Sequence, residues 1–189
     1  RNGPRSPPQT EEQNFKEAYT LLQHLSIAKG KRRAMVWQCI YDRINTNSRD
    51  SPRWQAAFLE AGGIRALILF FEKVHSEADD DDPLEQKNAT RMVGMRSSEL
   101  YEVPGACYSE RYLIIAIMGR MAGTCLESRL RLISDGAVPC ILKGCRDADP
   151  EVQECAICSL KGLVQHHEGR QVVDYQTLMD CLAKGVRNP

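Results

Sequence analysis

LISDGAVPCILKGCRDADPEVQECAICSLKGLVQ, residues Leu132–Gln165, decides how this chain is read. Its apolar residues follow helical spacing on both sides of a Gly136-Ala137 corner, and Asp149-Pro150 supplies an N-cap and a first-turn proline for a further helix. With the preceding Leu126–Ser134, three helices are expected: Leu126–Ser134, Val138–Arg146 and Pro150–Gln165. Part of the stretch recurs. VPCILKGCRD at Val138–Asp147 is echoed 41 residues later by MDCLAKGVRN at Met179–Asn188, with Cys140, Lys143, Gly144 and Arg146 returning as Cys181, Lys184, Gly185 and Arg187. A fixed period of about 40 residues is the length of a stacked helical repeat unit, which buries its apolar face only against its neighbours.

A third copy lies upstream. FLEAGGIRALILFFE (Phe58–Glu72) overlays LISDGAVPCILKGCR (Leu132–Arg146) at an offset of 74, with Gly62-Gly63 at the corner and Leu67-Ile68 over Ile141-Leu142. Glycine suits such a corner because it adopts positive φ at little cost. An offset of 74 in place of 41 implies roughly 33 inserted residues, and Ser76–Ala106 supplies them. That segment opens with the acidic run Glu77–Asp82, has no clean periodicity and ends at Pro104-Gly105. It is expected to be an insertion loop at 76–106.

Further out, Arg1–Thr10 is polar and proline-rich and reads as a flexible tail before a helical domain covering Glu11–Pro189. A first helix starts at Glu11 with Phe15, Ala18, Tyr19, Leu22 and Leu25 on one stripe, and stops at Gly30. Lys31–Ile44 carries Met35, Val36, Cys39, Ile40 and Ile44. Ser51-Pro52 opens a helix to Glu60, followed by one from Ile64 to about His75. Beyond the insertion, Leu113, Ile114, Ile117, Met118 and Met121 mark a strongly apolar helix, and a partial unit spans Val172–Val186. No β-strand pattern remains, so the fold class is all-α.

Leu132–Gln165 resembles an armadillo repeat. The resemblance rests on Ile133-x-x-Gly136-Ala137-Val138-Pro139, on Asp149-Pro150-Glu151-Val152-Gln153, and on the core spacing of Ala156, Leu160 and Leu163. It extends more loosely over Ser51–His75 and Tyr108–Ile133. It implies a short right-handed armadillo-like solenoid of about three repeats, interrupted by one long acidic insertion. In that family the third helices line a concave groove for extended peptides. A Trp and an Asn four residues apart recur there in nuclear import receptors. Those positions fall here on Cys158 and Gly162, on Ala116 and Arg120, and on Gln38 and Asp42. The Trp–Asn ladder is absent, so nuclear localisation signals are not an expected ligand.

Lysine plus arginine and aspartate plus glutamate both number 25, which leaves no overall field for nucleic acid or acidic lipid. No apolar run approaches the ~20 residues of a membrane span, and nothing resembles a secretory signal. The chain opens on Arg1 without a methionine and reads as a fragment or a processed product. Most of the eight cysteines sit within helical apolar patterns and are expected to be reduced core thiols. This favours a cytoplasmic setting, with an organelle interior as the alternative. Cys155-x-x-Cys158 with His166-His167, Cys140 and Cys145 invites a zinc reading. However, residues five apart on a helix diverge by about 140°, so Cys140 and Cys145 cannot converge on one ion. No cofactor is expected, and no nucleophile elbow, phosphate loop or metalloprotease motif is present.

The basic cluster Lys29, Lys31, Arg32 and Arg33 reads as a solvated corner, and the four histidines as surface residues. The expectation is a non-catalytic scaffold or adaptor subunit of a larger assembly with protein partners. Gln38, Asp42 and Arg120 would face a ligand on the concave side, and Glu77, Asp79, Asp80, Asp81 and Asp82 would meet a basic surface. A formin-like regulatory armadillo module and a nucleic-acid-binding helical repeat are the alternatives.

Overall fold

The computed structural model describes residues 10–45, 51–80 and 108–185. Among them all regular structure is helical, with no strand. In chain order the helices are α1 (Glu11–Ile27), α2 (Lys31–Asn45), α3 (Ser51–Glu60), α4 (Gly63–Asp80) and α5 (Glu110–Thr124). They are followed by α6 (Leu126–Ser134), α7 (Val138–Gly144), α8 (Pro150–Val164), α9 (His167–Val172) and α10 (Tyr175–Gly185).

Local chemistry accounts for the boundaries. Thr10 and Gln13 form a reciprocal capping box: Gln13 N–H donates to Thr10 Oγ1 at 3.2 Å, and Thr10 N–H to Gln13 Oε1 at 2.9 Å. Thr10 therefore belongs to the helical domain rather than to the tail. Asp149 caps α8 by accepting from Glu151 N–H at 3.0 Å, with Pro150 in the first turn. The two corners repeat each other. Gly62 has φ 87° and Gly136 φ 83°, and each closes its helix with the same bond, Gly62 N–H to Leu59 O at 3.1 Å and Gly136 N–H to Ile133 O at 3.2 Å. A compensating exchange distinguishes them. Leu132 and Ala137 in the later corner become Phe58 and Gly63 in the earlier one, where a Cβ on Gly63 would strike the Phe58 ring.

Helix α5 lies at the centre. Leu113 through Met118 are all buried, so this helix is apolar around its circumference and needs neighbours on every side. It meets α8 over its widest contact and α2 on another side, and it also touches α4, α6 and α7. Farther out, α3 touches α6, α6 touches α9, and α4 touches α7. Ala156, Leu160 and Leu163 are buried as expected. The repeated cysteines Cys140 and Cys181 are buried too.

Several sequence expectations shift by one helix face. Phe15 and Tyr19 do not join the core; they are exposed and stack on each other at 6.2 Å, while Asn14, Ala18 and Leu25 form the buried line of α1. Met35 and Cys39 are exposed as well, and α2 buries Arg33, Trp37, Ile40 and Ile44. A helix with apolar residues on two stripes leaves the choice of buried stripe to tertiary packing. The helix expected to stop near His75 continues to Asp80, through the first residues assigned to the insertion. No glycine or proline intervenes, and Glu77 and Ala78 favour helix. The C-terminal unit also begins earlier than expected, with the short helix α9 ending at Val172.

Candidate functional site

Helix α5 packs against both α2 and α8, and side chains from all three come near one another around Tyr41 and Tyr112. Tyr41 on α2 is half-buried and lies within electrostatic reach of Tyr108, Arg120 and Cys155. Tyr112 on α5 is half-buried beside Tyr41, Cys155 and Glu151. Tyr108 and Tyr112 stack with centroids 4.4 Å apart and planes 15° from parallel. Ser109 fixes this pair locally, because its hydroxyl accepts from Tyr112 N–H at 3.2 Å and starts α5.

The polar residues expected on the concave side fall on these helices. Gln38 donates through Nε2 to Asp42 Oδ1 at 2.8 Å. Its Oε1 is buried and has no hydrogen-bond partner among the described residues. Arg120 is exposed and close enough to Tyr41 to favour its phenolate. Gln38, Asp42 and Arg120 are thus brought onto one surface with the tyrosines. Glu77, Asp79 and Asp80 lie in the last turns of α4, with side chains outside the described residues, and Asp81 and Asp82 lie outside them altogether.

Sequence reasoning missed Tyr41, Tyr108 and Tyr112. The one available signal was the spacing of Tyr108 and Tyr112 at i and i+4, directly before an apolar helix. It also misread Arg33, which is not a solvated corner residue. Arg33 is 7% exposed, donates through Nε to Glu110 Oε2 at 2.7 Å, and holds its guanidinium carbon 5.6 Å from the Phe70 centroid. This pair pins α2 to the start of α5. A second pair, Arg111 to Asp147 at 3.1 Å, ties α5 to the turn before α8.

The thiols divide into two groups. Cys140, Cys145 and Cys181 are buried and Cys155 is half-buried, whereas Cys39, Cys125 and Cys158 are exposed, so fewer of the described thiols lie in the core than expected. Burial pushes the Cys140 thiol up to about 12, reinforced by the neighbouring Glu72 carboxylate. Burial likewise pushes Cys145 up to about 12, next to Cys181, and Cys155 up to about 11. Among the described residues no group of three His, Cys, Asp or Glu side chains is placed to hold a metal. Maleimide labelling of the native chain at pH 7.5 (a value chosen well below these thiols) should therefore modify Cys39, Cys125 and Cys158 and spare Cys140, Cys145 and Cys181. Unfolding releases these thiols to ionise near 9, so their stabilisation is complete below that pH and is lost as pH rises towards about 12. Tyr112, pushed from 10.0 up to about 12 chiefly by burial, adds to the same decline. Urea midpoints should fall steadily above pH 9, and a flat profile would contradict the packing.

At neutral pH the face thus offers neutral hydroxyls and thiols, a guanidinium and carboxylates. It can stack with side chains and exchange hydrogen bonds with a peptide backbone. Comparison with family models, with curated proteins and with solved structures finds no match. Among the described residues no single helix is long and apolar enough to cross a membrane. The bent pair α3 and α4 has the composition, but it breaks by 73° and buries Trp54, Phe58, Ile64, Leu67 and Phe71 in the core.

Proposed function

We propose that this chain is a short right-handed armadillo-like solenoid of about three repeats, acting as a non-catalytic protein-binding scaffold or adaptor. One observation carries the reading: helices of equal role stack on one another. Helix α2 lies on α5 and α5 on α8, α3 lies on α6 and α6 on α9, and α4 lies on α7. Each of these steps advances by one unit of the repeat seen in the sequence, which is how quasi-one-dimensional arrays are built. The α2–α5–α8 face then takes the place of the ligand groove.

Its composition supports protein over nucleic acid. Tyrosine and arginine dominate protein-binding hot spots, while the equal numbers of basic and acidic residues supply no phosphate-neutralising excess. The alternative nucleic-acid reading requires salt-dependent RNA or DNA binding. The test is quantitative co-purification from cells with the native chain and with a Tyr108→Ala/Arg120→Glu variant. We expect a stoichiometric protein partner whose recovery falls about tenfold with the variant, equivalent to about 1.4 kcal/mol. Equal recovery, or capture of nucleic acid that salt releases, would remove this assignment.

A further inference from the structure

The tyrosine cluster brings aromatic rings and hydrogen-bond donors to the same place. Tyr112 lies within electrostatic reach of Tyr41, and both lie within reach of Tyr108. Tyr108 and Tyr112 form a near-parallel stack with centroids 4.4 Å apart, and Tyr108 remains exposed. Burial raises the Tyr41 and Tyr112 phenols, so both keep their hydroxyl protons for donation at neutral pH. Arg120, exposed and within reach of Tyr41, adds the donors of a guanidinium fork.

A ligand matched to this supply presents carbonyls and apolar rings in preference to N–H groups. A polyproline II segment does so. It makes no internal hydrogen bonds, its carbonyls stay open to partners, and each proline lacks an N–H. Its rings pack on aromatic side chains, and its pre-set conformation leaves little entropy to lose. The flanks of the cluster add a charge preference. Asp42 from α2 lies within reach of Tyr41 and Glu151 from α8 within reach of Tyr112, and both are exposed. Asp42 accepts from the neutral Gln38 amide, which leaves its charge in place. Arginine side chains on a ligand match such carboxylates as paired forks.

We propose that the tyrosine cluster binds a proline-rich, arginine-containing segment of a partner protein in the polyproline II conformation, an assignment that rests on reading this cluster as the ligand site. Prolines would lie against Tyr108 and Tyr112. Their carbonyls would accept from the phenols and Arg120, and the ligand arginines would face Asp42 and Glu151.

The test is fluorescence anisotropy on the full chain with labelled Arg-Pro-Pro-Arg-Pro-Pro-Arg. Two comparison peptides are Arg-Ala-Ala-Arg-Ala-Ala-Arg, which keeps the charge, and Glu-Pro-Pro-Glu-Pro-Pro-Glu, which keeps the rings. The first peptide should bind at least about tenfold more tightly than either, and weaken as salt rises from about 50 to about 300 mM. Tyr108→Ala should reduce its affinity at least about tenfold, and Tyr108→Phe should retain most of it because the ring remains. Asp42→Asn/Glu151→Gln should weaken binding and flatten its salt dependence with circular dichroism unchanged, since both residues are exposed. Leu130→Ser on α6 should leave affinity unaltered. The proposal is overturned if either comparison peptide binds as tightly as the first, or if Tyr108→Ala or the double neutralisation leaves affinity unchanged. If none of the peptides binds while Tyr108→Ala/Arg120→Glu still loses its cellular partner, the proline assignment falls and the protein-binding reading stands. If that partner is retained as well, both fall. A large gain in affinity on removing Arg1–Gln9, which carries prolines and arginines of its own, would also overturn the proposal by making the chain itself the source of the occupant.

Discussion

Trp37→Ala is expected to lower the unfolding free energy by about 3–5 kcal/mol, the range for deleting a fully buried large aromatic. Trp37 is 0% exposed. Its ring meets Phe70 edge-on at 5.7 Å and 78°, which joins α2 to α4. Its indole N–H has no hydrogen-bond partner among the described residues. Trp37→Phe should therefore retain most of the stability, because it loses area and no bond. Urea unfolding of the two variants checks this. A cost below about 1 kcal/mol for the alanine would mean that α2 is not packed as described.

Gly119→Leu is expected to cost about 3 kcal/mol by overpacking the widest helix contact in the domain. A Cβ at Gly119 on α5 would run into the side chain of Ser159 on α8. Ser159 is buried and cannot swing away freely, because its hydroxyl donates to Cys155 O at 2.8 Å. Gly119→Ala should carry the same effect in smaller measure, and Ser159→Gly in the same chain should recover most of it. That coupling isolates the α5–α8 crossing from helix propensity. Gly123→Ala on the same helix is the control: nothing lies within 4 Å of its added Cβ. It should stabilise the chain by up to about 1 kcal/mol. Additivity of Gly119→Ala and Ser159→Gly would contradict the crossing.

The corners were legible because glycine marks them chemically. Gly62 and Gly136 both take the positive φ that the overlay of Phe58–Glu72 on Leu132–Arg146 implies. The helices after those corners were legible too, since Asp149-Pro150 and Ser51-Pro52 announce their starts. The N-terminal helices were harder. In α1 and α2 apolar residues occupy more than one stripe, and periodicity cannot choose between Phe15–Tyr19 and Ala18–Leu25. That choice is made by α3 and α4, against which α1 packs. Of the candidate site, Gln38, Asp42 and Arg120 were reached only through the armadillo resemblance, and the tyrosines near them come from positions some 70 residues apart. Arg33 and Glu110 are 77 residues apart, so a single sequence gives no sign of their pairing.

The central claim is that α2, α5 and α8 form one partner-binding face. Site-specific photocrosslinking tests it most directly, with benzoylphenylalanine placed in separate chains at Tyr108, just before α5, and at Leu130 on α6. Both positions are well exposed, at 41% and 45%, so accessibility does not bias the comparison. The account predicts a discrete protein adduct from position 108 and none from position 130. An adduct from position 130 alone, or nucleic acid in place of protein at position 108, would contradict it.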